Sequence, residues 1–432
     1  MRRSLRNLRI ACDHRGLTHF GGICFFHEFI QVLQLRIFLT RHLSYPRRNR
    51  RSRLSQMILA LVYPVILGLD RLATASFLRS NGTFQYLTGL PSFPDPHTLR
   101  RFLLQAPNSF WQQRHRVNDR LLQNFIHLPE HRSRLIFDLD SSVVSVFGRQ
   151  ENAAVGYNLR YRGKRSYNPL LCIEANSSYL WDTELRPGNA GTGDGSVELL
   201  ETCFVNVPPD IRELRVRADA GFGFNPVLMG LEARPAGYAV VARLTQAFKR
   251  LLPGVRYEPI NPHGEMAEFE HRPHGWPQAR RFVVARQERK NKLRSLPWGA
   301  TSIAPWVTNM DLTPAGVWHF YDGRAGMEPR ICELREDFSL RRIPTASFAA
   351  HALYLEIIRL VYNLVTAVQR NCLQDSWQNL TLEKLHYKLF LLPGELTRPH
   401  NRPVLRLRES PIIGDLARDI LKKLHRLKPL QP

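Results

Sequence analysis

The chain is short of cysteine pairs, of long apolar runs and of acid. Its six cysteines, Cys12, Cys24, Cys172, Cys203, Cys332 and Cys372, never fall at Cys-x-x-Cys spacing, which argues against a structural zinc site. Scattered cysteines and a basic N-terminus with no apolar stretch behind it fit a reducing cytoplasm rather than a secretory route. The longest apolar run, Met57 to Leu69, is interrupted by Pro64. It is too short for a membrane span, so it reads as a buried helix and no membrane partner is expected. No His-Glu-x-x-His pair and no nucleophile elbow occurs. Gly188, Gly191, Gly193 and Gly195 cluster, but without the Gly-Lys-Ser/Thr ending and helix of a phosphate-binding loop they read as a flexible loop. Repeats and long low-complexity tracts are missing as well.

Acidic residues number 37 against 61 Lys and Arg, a formal charge of +24. Such an excess opposes compaction unless a polyanion is the partner, and nucleic acid is the default one. With 432 residues, 44% of them hydrophobic, the chain can build one large core or two to three domains.

Residues 1–130 read as a helical, basic, DNA-binding region. Arg47, Arg48, Arg50, Arg51 and Arg53 precede the apolar helix, Asn81-Gly82 marks a turn, and Asp95-Pro96 is a helix start. The helix that follows carries Leu99, Phe102 and Leu103 on one face and Arg100 and Arg101 on another, a pattern suited to a helix-turn-helix-like unit. From about residue 134 strands alternate with helices: Leu135 to Asp140, Pro169 to Ala175, Leu180 to Leu185, a helix from Glu198 to Phe204, Leu214 to Asp219, a helix from Pro226 to Ala233, and Tyr238 to Ala242. This predicts an α/β layer with a mixed sheet over residues 131–244. Residues 245–318, with Pro253, Pro259, Pro262, Pro273 and Pro277, read as a β-rich insertion. Residues 319–395 resume the core, strongly helical from Ser347 to Val368, and 396–432 form a basic helical tail.

Two of these strands end in a carboxylate, Asp140 and Asp219, and Glu328 opens a helical segment. Functional groups collect at strand ends in α/β sheets. Carboxylate oxygens suit Mg²⁺, and two such ions can serve an in-line displacement at phosphorus. Asp138 competes with Asp140, because two residues apart on a strand they face the same side. At 100° per residue, Tyr321, Arg324, Glu328 and Arg335 would fall within about 60° on one helix, although Pro329 suits only a first turn or a kink.

Several runs carry a resemblance. Phe137-Asp138-Leu139-Asp140-Ser141-Ser142, Gly148-Arg149-Gln150-Glu151, Tyr167-Asn168-Pro169-Leu170 and Leu185-Arg186-Pro187-Gly188-Asn189 resemble the first-Asp region of one transposase group. Arg217-Ala218-Asp219-Ala220-Gly221-Phe222 resembles its second-Asp motif. Tyr321, Arg324, Glu328 and Arg335 are similar to the Tyr-Arg-Glu-Lys signature of the insertion sequence four superfamily, and Arg359-Leu360-Val361-Tyr362-Asn363-Leu364 also matches. The likeness is greatest to the family typified by insertion sequence thirteen-eighty and covers roughly residues 70–430; residues 1 to about 50 match it poorly.

That resemblance implies a ribonuclease-H-like catalytic core with a β-rich insertion, preceded by an α-helical DNA-binding domain. Asp140 and Asp219 stand 79 residues apart and Glu328 a further 109 on, where the insertion lies. The implied activity is cut-and-paste transposition: cleavage at element ends, then strand transfer, through a hairpin intermediate. Asp140 rather than Asp138 would be the ligand, with Asp219 and Glu328, for two Mg²⁺ ions for which Mn²⁺ can substitute. Tyr321, Arg324 and Arg335 would contact DNA, and Trp276 or Trp298 would stack a flipped base. Double-stranded DNA, both terminal inverted repeats and target, is the implied partner, with a dimer on DNA in a bacterial cytoplasm, associated with the nucleoid. Arg335 stands where the signature has Lys, which leaves a catalytically impaired relic, or a hydrolytic nuclease of the same fold, as rival readings.

Overall fold

The computed structural model describes residues 14, 16–45, 52–125, 133–158, 161–191, 193–261, 264–288, 301–408 and 411–430. Trp298, Cys12 and Arg47, Arg48, Arg50 and Arg51 lie outside the described residues. In chain order, strand β1 (Leu17–Thr18) precedes helices α1 (Ile23–Val32), α2 (Leu35–His42), α3 (Leu54–Ile66), α4 (Ser76–Arg79), α5 (Gly82–Leu87), α6 (Pro96–Gln105) and α7 (Asn108–Phe125). Strands β2 (Arg134–Ser141), β3 (Val144–Ser145), β4 (Ala154–Val155), β5 (Arg165–Tyr167), β6 (Leu170–Glu174) and β7 (Leu180–Glu184) follow. Next come α8 (Ser196–Val205), β8 (Glu213–Ala218), α9 (Asn225–Glu232), β9 (Ala236–Val241), α10 (Gln246–Leu251), β10 (Glu258–Asn261), β11 (Gly264–His271), β12 (Arg280–Glu288) and β13 (Thr301–Thr308). The chain ends through α11 (Pro314–Asp322), α12 (Met327–Glu336), α13 (Phe348–Cys372), α14 (Asp375–Gln378), α15 (Leu382–Leu385), β14 (Gly394–Thr397), β15 (Val404–Leu407) and α16 (Pro411–Leu424).

These elements form two compact units. The first comprises Met1–Val117, Glu336–Thr345 and Leu360–Pro432; the second comprises Asn118–Arg335 and Ala346–Arg359.

The first unit is mostly helical, and described segments early and late in the chain are folded together in it. β1 pairs with β14, which pairs with β15. Phe26 of α1 meets Tyr63 of α3 at 6.3 Å and Phe390 at 6.2 Å, ring to ring. Gly22 is required there, because a Cβ would collide with the Leu389 carbonyl oxygen. α3 is buried along nearly its whole length, as its composition implies. Asp95 caps α6 by accepting from the His97 N–H at 2.8 Å, with Pro96 in the first turn.

The second unit is built on a nine-stranded mixed sheet of order β10-β11-β12-β13-β9-β8-β2-β6-β7. β2, β8 and β9 run parallel. On one side β6 pairs antiparallel to β2, and β7 antiparallel to β6. On the other side β13 pairs antiparallel to β9, so the strands of residues 245–318 continue the same sheet. Phe137 of β2 packs 4.9 Å from Trp181, whose indole donates to the Cys203 carbonyl at 3.1 Å. A fully buried guanidinium, Arg359, donates to Asp119 at 2.7 Å and pairs with Asp182 at 3.3 Å and Glu356 at 3.7 Å. Asp182 and Glu356 therefore have a counter-ion within the chain, which a buried charge needs.

α13 is long and apolar enough to cross a membrane by length and composition alone, and 83% of its most apolar window is buried inside the protein.

Candidate active site

The register of β2 on β8 organises the site. Asp138 stands opposite Arg217, and Leu139 opposite Ala218. Alternate residues share a face, so one rung further on, at the carboxyl ends of both strands, Asp140 and Asp219 come side by side. Two rungs on one face thus differ in sign: an opposite-charge pair inside the sheet and a like-charge pair at its edge.

The inner rung is a buried fork. Arg217 Nε donates to Asp138 Oδ1 at 2.6 Å and Nη2 to Oδ2 at 2.8 Å, with side chains 6% and 3% exposed. Its Nη1 donates to the Phe320 carbonyl at 2.9 Å, which ties α11 to the sheet. Gly323 makes room, since a Cβ there would collide with Nη1. Both Asp138 oxygens are taken by this one guanidinium, inside the sheet. Burial pushes the Asp138 carboxyl up, and the Arg217 fork pulls it back down.

The outer rung is half open. Asp140 Oδ1 accepts from the Ser141 N–H at 2.7 Å, and Oδ2 lies 3.0 Å from Arg324 Nη2. Burial raises the Asp140 pKa, Arg324 lowers it, and the neighbouring Asp219 raises it again. Asp219 follows β8 directly and accepts from the Gly221 N–H at 2.9 Å. Arg243, just beyond β9, pins that turn by donating to the carbonyls of Ala220 and Gly221 at 3.1 Å each.

The segment expected as one helical face is divided. Tyr321 lies in the last turn of α11, Arg324 sits in a 3-10 turn (Gly323–Gly326), and Glu328 and Arg335 lie on α12. Arg324 is 8% exposed. It donates to the Leu139 carbonyl at 2.9 Å as well as reaching Asp140, because the turn tips its side chain onto the end of β2. Tyr321 packs with its ring 5.8 Å from Trp306. Burial raises its pKa, and Arg324, Asp219 and Asp140 all act on it electrostatically. Glu328 is exposed in the first turn of α12, and the oxygens of Asp140, Asp219 and Glu328 do not all come within 4.8 Å of one another. Arg335 is half-buried.

Arg100 and Arg101 are exposed on α6. Trp276 lies in the turn between β11 and β12, half-buried, with the Arg280 guanidinium 4.8 Å from its ring centroid and Phe282 at 6.1 Å. Arg280 is itself forked onto Glu232 at 2.6 and 2.8 Å. The glycine-rich stretch is a loop held by Arg186, which donates to the carbonyls of Asn168, Gly191 and Asp194. Sequence reasoning assigned no role to Arg217 or Arg243; each acts on a partner that strand register alone brings near.

An all-oxygen pair of carboxylates, crowded at two parallel strand ends with one cation beside them, fits a hard divalent ion, which would relieve the repulsion left between them. Across 97% of its length the chain is similar in fold to a piggyBac transposase solved as a synaptic complex with hairpin DNA, at 14% identity, 89% coverage of that chain and a TM-score of 0.46. No curated protein matches the chain. The family described as transposase DDE domain group 1 matches residues 2–429. The chain belongs to that family and is a DDE transposase, an enzyme that acts on DNA.

Proposed function

We propose that the protein cuts DNA at the ends of its own mobile element and joins those ends to target DNA, with Asp140, Asp219 and Glu328 as the catalytic acids. The observation that carries this is the placement of Asp140 and Asp219 on neighbouring parallel strand ends. The order β7-β6-β2-β8-β9, with β2, β8 and β9 parallel, supports a ribonuclease-H-like core. The strands beyond β9 then take the place of the β-rich insertion.

DDE transposases use divalent metals. Asp140, Asp219 and Glu328 would hold Mg²⁺, or Mn²⁺ in its place. Such ions, when bound, activate an attacking oxygen and stabilise the leaving one at phosphorus. Arg324 aims the Asp140 carboxylate and opposes the rise in its pKa that burial causes, and Arg217 fixes the strand beneath it through Asp138. Arg335 offers a planar fork to a phosphate where the signature has a point charge. Arg100 and Arg101 add exposed cations for the DNA backbone, Tyr321 lines the approach, and Trp276 or Trp298 stacks an extruded base. We assign the chain to the insertion sequence four superfamily near insertion sequence thirteen-eighty, acting by cut-and-paste through a hairpin. It works as a dimer on paired inverted repeats in a bacterial cytoplasm.

The test is Mg²⁺-dependent cleavage of a duplex carrying the element's terminal repeat. The wild type should cut at the repeat boundary, and Asp140→Ala, Asp219→Ala and Glu328→Ala should each abolish cutting while retaining binding. Binding without cutting, with cutting restored by Arg335→Lys, would identify an impaired relic. Cutting without strand transfer would identify a hydrolytic nuclease.

A further inference from the structure

The turn that carries Asp219 is held from the neighbouring strand. β8 and β9 run parallel with Ala218 opposite Val240, so both leave the sheet at one edge. Asp219 follows β8 there, and Arg243 lies two residues past the end of β9. Its side chain is exposed, yet its donors turn back onto the protein. Nε donates to the Ala220 carbonyl and Nη2 to the Gly221 carbonyl, both at 3.1 Å. Among the described residues no carboxylate pairs with Arg243.

The first of these bonds reaches Asp219 through one amide. The Ala220 carbonyl and the Gly221 N–H belong to the same planar peptide unit, and that N–H donates to Asp219 Oδ1 at 2.9 Å. A cation on the amide oxygen makes the amide N–H a stronger donor, because hydrogen bonds in a chain polarise one another. Fixing the oxygen also fixes the direction of the N–H. Oδ1 is thereby held, while Oδ2 accepts no hydrogen bond among the described residues. Asp140 is served differently, since Arg324 meets its Oδ2 directly at 3.0 Å. Arg324 offsets the charge that it aims; Arg243 aims a carboxylate without touching it.

The Arg243 guanidinium is itself seated. It lies 5.7 Å from the centroid of the half-buried Phe224 ring. Phe224 rests against Gly193 of the glycine-rich loop, where a Cβ would collide with the ring. Arg186 holds that loop by donating to the Gly191 and Asp194 carbonyls. Glycines that look in sequence like a flexible loop thus leave room for the aromatic beside Arg243.

We propose that Arg243 is a positioning residue for Asp219, holding its carboxylate for a divalent cation through the Ala220–Gly221 amide, with Phe224 and Gly193 holding Arg243 in turn. This rests on Asp219 as a catalytic acid. Charge alone would give the opposite sign: a guanidinium near an ion site repels a divalent cation, so its removal should tighten ion binding. A carboxylate no longer held through the amide should instead bind the ion about 10- to 100-fold less tightly, the usual cost of losing a partner behind a metal ligand.

The test titrates Mn²⁺ into the full chain bound to terminal-repeat duplex and reads the free ion by electron paramagnetic resonance, with the duplex alone as blank. Arg243→Met should weaken ion binding by about 10- to 100-fold. Its melting temperature and its DNA affinity in EDTA should stay near wild-type values. Arg243→Lys, which keeps the charge but not the planar fork, should recover part of the loss. Gly193→Ala should weaken the ion in the same direction. Added to Asp219→Ala, Arg243→Met should cost nothing further. Unchanged or tighter ion binding in Arg243→Met would overturn the proposal. So would a loss that adds in full to that of Asp219→Ala, the mark of a generally loosened fold. Weaker DNA binding with ion binding intact would make Arg243 a phosphate contact instead. If Asp219→Ala loses the ion and Arg243→Met does not, only this proposal falls; if Asp219→Ala binds the ion as the wild type does, the catalytic reading of Asp219 falls with it.

Discussion

Replacing Arg217 by methionine should cost the second unit far more than an ordinary surface change. The side chain is 6% exposed, and its partner Asp138 is 3% exposed, so the substitution leaves a carboxylate buried without its fork. Removing one member of a buried ion pair costs about 3–5 kcal/mol, against at most about 1 kcal/mol for an exposed pair. The lost bond to the Phe320 carbonyl adds to this. For a unit of this size 1 kcal/mol moves the melting temperature by about 2–4 °C. Arg217→Met should therefore lower the transition of that unit by roughly 6–20 °C in differential scanning calorimetry. Asp138→Leu combined with Arg217→Met removes both charges together and should recover most of the loss, because desolvation no longer has to be offset. A single variant that melts within about 2 °C of wild type, or a double variant no better than the single, would refute the reasoning.

Three further outcomes follow from the same geometry. Arg324→Ala should reduce cleavage about 100-fold while leaving DNA affinity within a few-fold, since Arg324 holds Asp140 and Leu139 rather than phosphate; a parallel loss of affinity, read by gel shift, would return it to the DNA. Burial lowers the pKa of both His27 and His386 in the first unit from 6.5 to about 4. A depressed pKa contributes stability that is present above 6.5 and lost as pH falls toward 4, up to about 3 kcal/mol for each group. Urea midpoints should therefore fall across that window, and less steeply in a His27→Gln/His386→Gln variant. Trp276→Ala should act mainly on stability, because Arg280 and Phe282 already cover the ring; normal melting with loss only of hairpin processing would instead assign that tryptophan to base capture.

Local pattern made much of this architecture legible. Leu135 to Asp140 is mostly apolar and closes in acid, and it forms most of β2. Asp95-Pro96 carries its own capping chemistry, and the apolar period from Ser347 to Val368 falls on α13. Asp140 and Asp219 stand out because each closes a strand, which needs no knowledge of pairing. What stayed hidden depends on pairing. Arg217 meets Asp138 only through the parallel register of β2 on β8, across 79 residues of chain. The strands of residues 245–318 read as a separate insertion because the link from β13 back to β9 is non-local. The helical arithmetic for Tyr321, Arg324, Glu328 and Arg335 assumed one uninterrupted helix, and the 3-10 turn at Gly323–Gly326 changes its phase.

The central claim is that Asp140 and Asp219 together ligate the ions that drive cleavage, and exchanging their donor atoms tests it most directly. Asp140→Cys and Asp219→Cys, each assayed on terminal-repeat DNA in Mg²⁺ and in Mn²⁺, replace a hard oxygen with a soft thiolate. The account predicts no cutting in Mg²⁺ and partial recovery in Mn²⁺ for both variants. Full activity in both ions, or equal inactivity in both with DNA binding intact, would contradict it.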